Sequence, residues 1–197
     1  MSHHVHTTEG FVIGGIDTGE SHRYLSLLTK EFGLIRAVAR SVRVEQSKLR
    51  YNLQDLACVD ISLVRGREVW RITGAKERYN TYWELRDQKK KCALLAQVTV
   101  LLRRLLAGEE KNERLFSIIS NGIAFLRNEK LNDNELKLFE YLIILRILHS
   151  LGYIGKVAQT DPLVSSELFK RNMLTAVALV QTAVVRGINK ALKESHL

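Results

Sequence analysis

Apolar residues in this chain alternate singly with polar ones as far as residue 79 and recur at intervals of three and four after it. A period of two sends successive side chains to opposite faces of a strand, whereas the longer spacing builds one face of a helix. The switch predicts an α+β chain: a β unit over residues 1–79, then an all-α bundle over residues 80–197.

Five strands are predicted in the first unit. Residues 10–16 lead through a turn at Asp17, Thr18, Gly19 and Glu20 to a second strand over 23–28, and Phe32-Gly33 turns the chain into a third. On that third strand Ile35, Ala37 and Ala39 share one face, while Leu34, Arg36, Val38 and Arg40 share the other. A polar segment over 45–55 follows, in which Ser47 is placed to cap a short helix over 49–53. Residues 57–64 alternate most cleanly, with Val59, Ile61 and Leu63 opposed to Cys58, Asp60 and Ser62. Arg65-Gly66-Arg67 then turns the chain into a fifth strand over 68–73 that carries Trp70 and Ile72 on one face. Five strands with a helix between the third and fourth are the plan of an OB-fold barrel. Such barrels bind single-stranded nucleic acid in a basic groove with aromatic stacking platforms.

Charge agrees with that use. The formal net charge is +9 and the isoelectric point about 9.7, a balance that favours phosphate-rich partners. From Arg36 to Arg50 there are five basic residues (Arg36, Arg40, Arg43, Lys48, Arg50) against the single acid Glu45, and Tyr51 comes next. These six residues are candidate nucleic-acid contacts, with Tyr51 or Tyr24 offering a ring for stacking. Arg65, Arg67 and Arg71 at the hairpin form a second basic cluster. The competing structural reading is a solvated barrel surface whose arginines pair with Asp55 or Asp60. A third basic set, Arg86, Lys89, Lys90 and Lys91, opens the first long helix, and Arg103 and Arg104 lie near its end. Lysines at a helix N-terminus oppose the macrodipole. That is relieved if the helix starts later or if an acidic partner sits there, so this set is the candidate contact for an acidic partner.

In the second unit Leu94, Leu95, Val98, Leu101, Leu102 and Leu105 form one helical face, with Gly108 placed to end it. Leu115, Ile118, Ile119, Ile123 and Leu126 repeat the pattern. Asn132-Asp133-Asn134 offers N-caps for a third helix reaching residue 151, apolar around much of its circumference and therefore central. A loop over 155–162 holds the sole proline, Pro162. A helix is expected to restart at Ser165-Ser166-Glu167 and to continue as one element through Leu174, Val177, Ala178, Val184, Ile188 and Leu192. Trp70 and Trp83 are expected in the core and at the domain junction.

Several classes are set aside. Cys58 and Cys92 are the only cysteines and form no CxxC, so neither a disulfide framework nor a cysteine zinc module is predicted, and a reducing cytoplasm is the expected compartment. No signal peptide or membrane-length apolar run is present. His3, His4 and His6 read as a silent tail rather than a metal site, and His149 and His196 lack partner ligands. Without a phosphate loop, nucleophile elbow or carboxylate pair, neither enzymatic activity nor a cofactor is expected.

Thr8-Glu9-Gly10-Phe11-Val12-Ile13, Gly19-Glu20-Ser21-His22-Arg23, Leu28-Thr29-Lys30-Glu31-Phe32-Gly33, Ser47-Lys48-Leu49-Arg50 and Val64-Arg65-Gly66-Arg67-Glu68-Val69-Trp70-Arg71 together resemble the amino-terminal domain of RecO, the bacterial recombination mediator. The helical half is similar to that family's carboxy-terminal domain through Leu148-His149-Ser150-Leu151-Gly152-Tyr153. Many family members carry a four-cysteine zinc-binding insertion just after that point. This chain has none and resembles a shortened, metal-free member. Arg40-Ser41 also stands where the family commonly has a glycine.

The resemblance implies a non-enzymatic, nucleoid-associated protein that binds single- and double-stranded DNA and anneals complementary strands. It also implies work with RecR, with the acidic C-terminal tail of the single-strand-binding protein, and indirectly with the RecA-type recombinase. The residues themselves support the DNA-binding part, and leave open a helical interaction adaptor or an RNA-binding OB-fold protein.

Overall fold

A computed structural model describes residues 4–155 and 160–195. His3, His196 and most of the expected loop after Gly155 lie outside them. Strands β1 (Val5–Thr18), β2 (His22–Thr29), β3 (Gly33–Ala39), β4 (Ala57–Arg65) and β5 (Trp70–Asn80) close a barrel in the order β1-β2-β3-β5-β4. Helix α1 (Lys48–Asn52) lies between β3 and β4 in the chain. This is the five-stranded OB barrel expected from the alternation.

Closure depends on β1 serving two neighbours. Residues from Val5 to Phe11 pair with β4 and those from Gly10 to Thr18 with β2, the register slipping between Val12 and Gly14. At this bulge Gly14 has φ +147°, and an added Cβ would sit 2.4 Å from the Arg103 guanidinium, so only glycine fits without displacement. Inside the barrel Val12, Leu25, Leu27, Ile35, Ala37, Ala39, Val59, Ile61, Leu63, Trp70 and Ile72 form one apolar cluster.

β3 and β5 pair only at Ala37–Trp70 and Val38–Arg71. Helix α1 packs on β5 beside that short seam: Leu49 and Leu53 enter the core cluster, and the Asn52 amide donates to the Ala75 carbonyl at 3.1 Å while its oxygen accepts from the Glu77 N–H at 3.3 Å. Ser47 is the N-cap, as its position suggested, but its side chain makes no capping bond.

Two strands exceed their predicted limits. β1 starts at Val5 rather than Gly10, and β5 runs from Trp70 to Asn80 rather than over 68–73. Both extensions are largely polar and pair with β4, so backbone hydrogen bonds hold them where side-chain alternation gave no signal.

The change from strand to helix falls at Asn80, yet the first compact unit extends through Met1–Glu113. Phe11, Val12 and Ile13 are consecutive and all buried, which requires cover on both faces of β1. The outer cover is α3 (Lys89–Leu105), which follows α2 (Thr81–Leu85) and packs against β1. The segment after α3 is tied back to the barrel at three points. Arg65 pairs with Glu109, Lys111 bridges Glu31 at 2.9 Å and Glu113 at 2.6 Å, and the Glu110 backbone lies where a Cβ on Gly33 (φ +66°) would be.

The second unit, Arg114–Leu197, holds most of α4 (Glu113–Asn128) and then α5 (Asp133–Ser150), α6 (Asp161–Val164), α7 (Arg171–Leu179) and α8 (Gln181–Glu194). Asn132 and Glu135 form the capping box of α5. As its composition demanded, α5 is central, packing on α6, α7 and α8. Arg146, 1% exposed, donates to the carbonyls of Leu163 (2.8 Å) and Leu168 (2.9 Å) and lies 4.3 Å from the Phe169 ring centroid. Burial lowers its pKa to about 10.

Two helical expectations are corrected. Residues 165–167 are not helical; the helix before them is the four-residue α6, opened by Pro162. The last helix is two elements, because the Val180 N–H closes a tighter bond onto Val177 and its carbonyl starts α8 by accepting from Val184. No glycine or proline marks that break. Among the described residues no helix is long and apolar enough to cross a membrane, and no group of three or more His, Cys, Asp or Glu could hold a metal.

Candidate nucleic-acid interface

Alternation along β3 places Arg36 outward and exposed, between the buried Ile35 and Ala37. Across the ladder it opposes Ser26, and Val38 lies between Tyr24 on β2 and Arg71 on β5. Side chains directly opposite in neighbouring strands lie on the same face. Arg36 and Arg71 therefore flank Val38 on one outer patch, with the half-buried Tyr24 beside it. The sequence placed these cations in separate clusters; the parallel pairing of β3 with β5 joins them.

Arg40 follows the end of β3, and the chain then returns to the β1–β2 turn, where the Arg43 guanidinium donates to the Gly19 carbonyl at 2.9 Å and lies 3.6 Å from Asp17. Here a cleft of about 590 Å³ is lined by Gly15, Asp17, Arg23, Val42, Arg43, Arg50, Leu53 and Gln54. Arg23, not singled out by the sequence reading, is fixed at the cleft by Asp55 at 2.9 Å and Asp17 at 3.6 Å. Lys48 and Tyr51 are exposed on α1, Tyr51 at 69%.

The local acids named as partners in the solvated-surface reading are engaged elsewhere. Asp55 holds Arg23, and Asp60 holds Arg78 at 2.9 Å. Arg36, Arg40, Lys48, Arg50, Arg67 and Arg71 make no ion pair among the described residues.

Arg65 differs from its neighbours at the hairpin. It pairs with Glu109 and lies 4.8 Å from the ring centroid of Trp70, so it ties down the segment after α3 while Arg67 and Arg71 stay exposed.

The basic set on α3 does not form one site. The helix begins at Lys89 itself, with no acid in its first turn, so a later start does not relieve Lys89 and Lys90. Lys91 is 5% exposed and is removed from the surface set, because it falls in the stripe with Leu94, Leu95, Val98, Leu102 and Leu105 that the helix buries. Arg103 and Arg104 are both exposed, and the Arg103 guanidinium lies over the Gly14 bulge. A rise of 1.5 Å per residue puts about 20 Å between the two ends of this set. Arg86 belongs to neither end; it packs on Trp83, 5.9 Å from the ring centroid. Trp70 is core as expected, at 4% exposure, while Trp83, expected at the domain junction, stands on α2 just after β5 and is 55% exposed.

Barrel order, the α1 element and the cation-bearing outer face define an OB-fold protein with a helical second part. Residues 1–79 match the family model described as the recombination protein O N terminal. Among curated proteins the chain is similar to the DNA repair protein RecO of Dehalococcoides mccartyi, 31% identical over 150 residues (76% of this chain and 57% of the relative). It is 28% identical over 140 residues (68% and 56%) to the DNA repair protein RecO of Alkaliphilus metalliredigens. A shorter match, 40% over 67 residues, is to the DNA repair protein RecO of a Synechococcus species. Residues 1–79 therefore carry the N-terminal domain of the RecO family, and the chain spans a little over half the length of the first two relatives.

Proposed function

We propose that this chain acts in DNA repair as a non-enzymatic recombination mediator that binds single- and double-stranded DNA, anneals complementary strands and assists recombinase loading on DNA coated by single-strand-binding protein. The observation that carries this reading is that six of the candidate cations on the barrel and α1, Arg36, Arg40, Lys48, Arg50, Arg67 and Arg71, are exposed and have no ion-pair partner among the described residues. Phosphates neutralised there release counterions, and strands so neutralised repel each other less, which is what annealing requires. The DNA contact is assigned to the barrel unit. RecR and the acidic tail of the single-strand-binding protein are assigned to the helical region, where the exposed Lys89 and Lys90 and the exposed Arg104 suit acidic peptides.

The test is the rate at which two complementary oligonucleotides pair in the presence of the protein, run with DNA and with RNA. Acceleration of DNA pairing is expected. A chain that binds DNA without accelerating pairing is not a mediator of this kind, and a clear preference for RNA would favour an RNA-binding barrel instead.

A further inference from the structure

Two exposed rings beside the barrel have no part in the reading above. Where β5 ends, the Asn80 side-chain oxygen accepts from the backbone N–H groups of Tyr82 (3.0 Å) and Trp83 (3.3 Å) and so starts α2. The positions that α2 buries are Thr81 and Leu85, which leaves Tyr82 48% and Trp83 55% exposed. Their ring centroids lie 5.6 Å apart at an interplanar angle of 71°, and the Arg86 guanidinium lies 5.9 Å from the centroid of Trp83. Rings pinned by a backbone cap yet left half in water offer flat apolar area to a ligand at little ordering cost.

The same rings wall a second cleft, of about 290 Å³, together with Arg23, Gln54, Asp55, Leu56 and Asn80. Arg23 and Gln54 also line the larger cleft that holds Arg43 and Arg50, so the two clefts adjoin along one groove. Its ends differ in chemistry. One carries the Arg50 guanidinium, which makes no ion pair among the described residues, and that of Arg43, which shares Asp17 with Arg23 at 3.6 Å each; the other carries the rings, and there Arg23 is also held by Asp55 at 2.9 Å. Cations at one end and π-faces at a near-neutral other end match the alternation of phosphate and base in an unpaired strand. An apolar peptide would find only Leu56 besides the rings at that end.

We infer that Tyr82 and Trp83 form a base-stacking platform for a single strand whose neighbouring phosphates lie at Arg43 and Arg50. This rests on the DNA-binding reading above and extends its site beyond the barrel to α2. Stacking holds any base by its face, so the platform confers affinity for single strands without sequence preference and favours them over duplex, whose bases are already stacked.

The experiment titrates the full chain with a fluorescein-labelled oligothymidylate, and with an oligomer of the same length whose central nucleotides are abasic. Anisotropy reports binding, and intrinsic tryptophan emission reports the platform. Trp70 is buried in the barrel, so emission that changes on binding comes from Trp83, which Trp83→Phe checks by abolishing the change. The expected result is quenching by oligothymidylate, weaker binding of the abasic oligomer, and a loss in Trp83→Ala of about 5- to 150-fold for oligothymidylate that shrinks towards none for the abasic strand. Trp83→Phe should keep most of the affinity. If oligothymidylate binds but emission is unchanged and abasic sites cost nothing, the platform is wrong and the DNA-binding reading stands. If neither oligomer binds at low salt, both fall. The emission and abasic readouts use the parent chain, so they decide the matter even if Trp83→Ala fails to fold.

Discussion

Removing Arg36 and Arg40 together should flatten the salt dependence of DNA binding by an amount that follows from their geometry. Both are exposed, and neither makes an ion pair among the described residues, so each is free to replace a condensed counterion on a phosphate. For single strands each such contact contributes about −0.7 to the slope of log K against log salt. If the six candidate cations Arg36, Arg40, Lys48, Arg50, Arg67 and Arg71 all make contact, the slope is about −4, and affinity falls roughly 300-fold between 50 and 200 mM salt. The double variant Arg36→Ala, Arg40→Ala should have a slope of about −3 and fall only about 50-fold over the same range. Arg78→Ala is the control. Its guanidinium is already held by Glu9 at 3.0 Å and Asp60 at 2.9 Å, so the slope should stay at the parent value. The measurement is anisotropy of a labelled oligothymidylate across a salt series. A double variant with the parent slope would show that the strand does not cross this face, whatever its effect on affinity at one salt concentration.

Gly33→Ala should destabilise the first unit by at least about 2 kcal/mol in a denaturant titration. The φ of +66° is costly for any residue with a Cβ, and that atom would lie 2.1 Å from the Glu110 carbonyl oxygen; a loss under half of this would mean that the segment after α3 yields freely. Burial, and then the charge of Glu9, push the Cys58 thiol up to about 12, so iodoacetamide at pH 8 should leave Cys58 unmodified in the native protein and modify it after denaturation. The same shift carries a pH dependence. The unfolded thiol ionises near its ordinary value of 9 while the folded one stays protonated, so stability from this site is intact below pH 9 and is lost progressively between 9 and 12, by about 1 kcal/mol at pH 10. Cys58→Ser should remove that part of the alkaline decline, and an unchanged decline would assign it to other groups.

The parts of the fold legible in the sequence were those encoded by local periodicity. Val59, Ile61 and Leu63 face the barrel interior because a strand alternates, and the same rule put Arg36 outside. Asn132-Asp133-Asn134 marked the start of α5 because such residues cap helices, and the structure adds the Glu135 that completes the box with Asn132. Other features were present in the sequence but needed a second rule. The run Phe11-Val12-Ile13 has no alternation, which signals a strand covered on both faces, and the cover is α3. Lys91 keeps step with Leu94, Leu95, Val98 and Leu102, so spacing, rather than charge, decides its burial. Trp83 falls off the Thr81–Leu85 face of a short helix, which outweighs the general tendency of tryptophan to be buried. The break at Val180 has no such local mark; a tightened backbone bond makes it.

Charge shows most clearly why a linear reading of the site is incomplete. An arginine that holds an acid and one that is available to a phosphate look identical in sequence, because the partners are distant: Arg23 and Asp55 are separated by 32 positions, Arg65 and Glu109 by 44, and Lys111 and Glu31 by 80. Only closure of the barrel and the return of the segment after α3 bring them together. Once those pairs are removed from the surplus of basic residues, what remains on the first unit is no longer uniform. The candidate contacts lie along β3 and its neighbour β5, at the edge of α1 and at the β4–β5 hairpin, with the Tyr82–Trp83 rings at the far end of the adjoining groove, while further exposed cations stand at Lys30, at Lys76 and along α3. On the proposed reading, net charge draws a polyanion to the protein as a whole, the cations without ion pairs set where it is held, and the rings add a preference for strands whose bases are free.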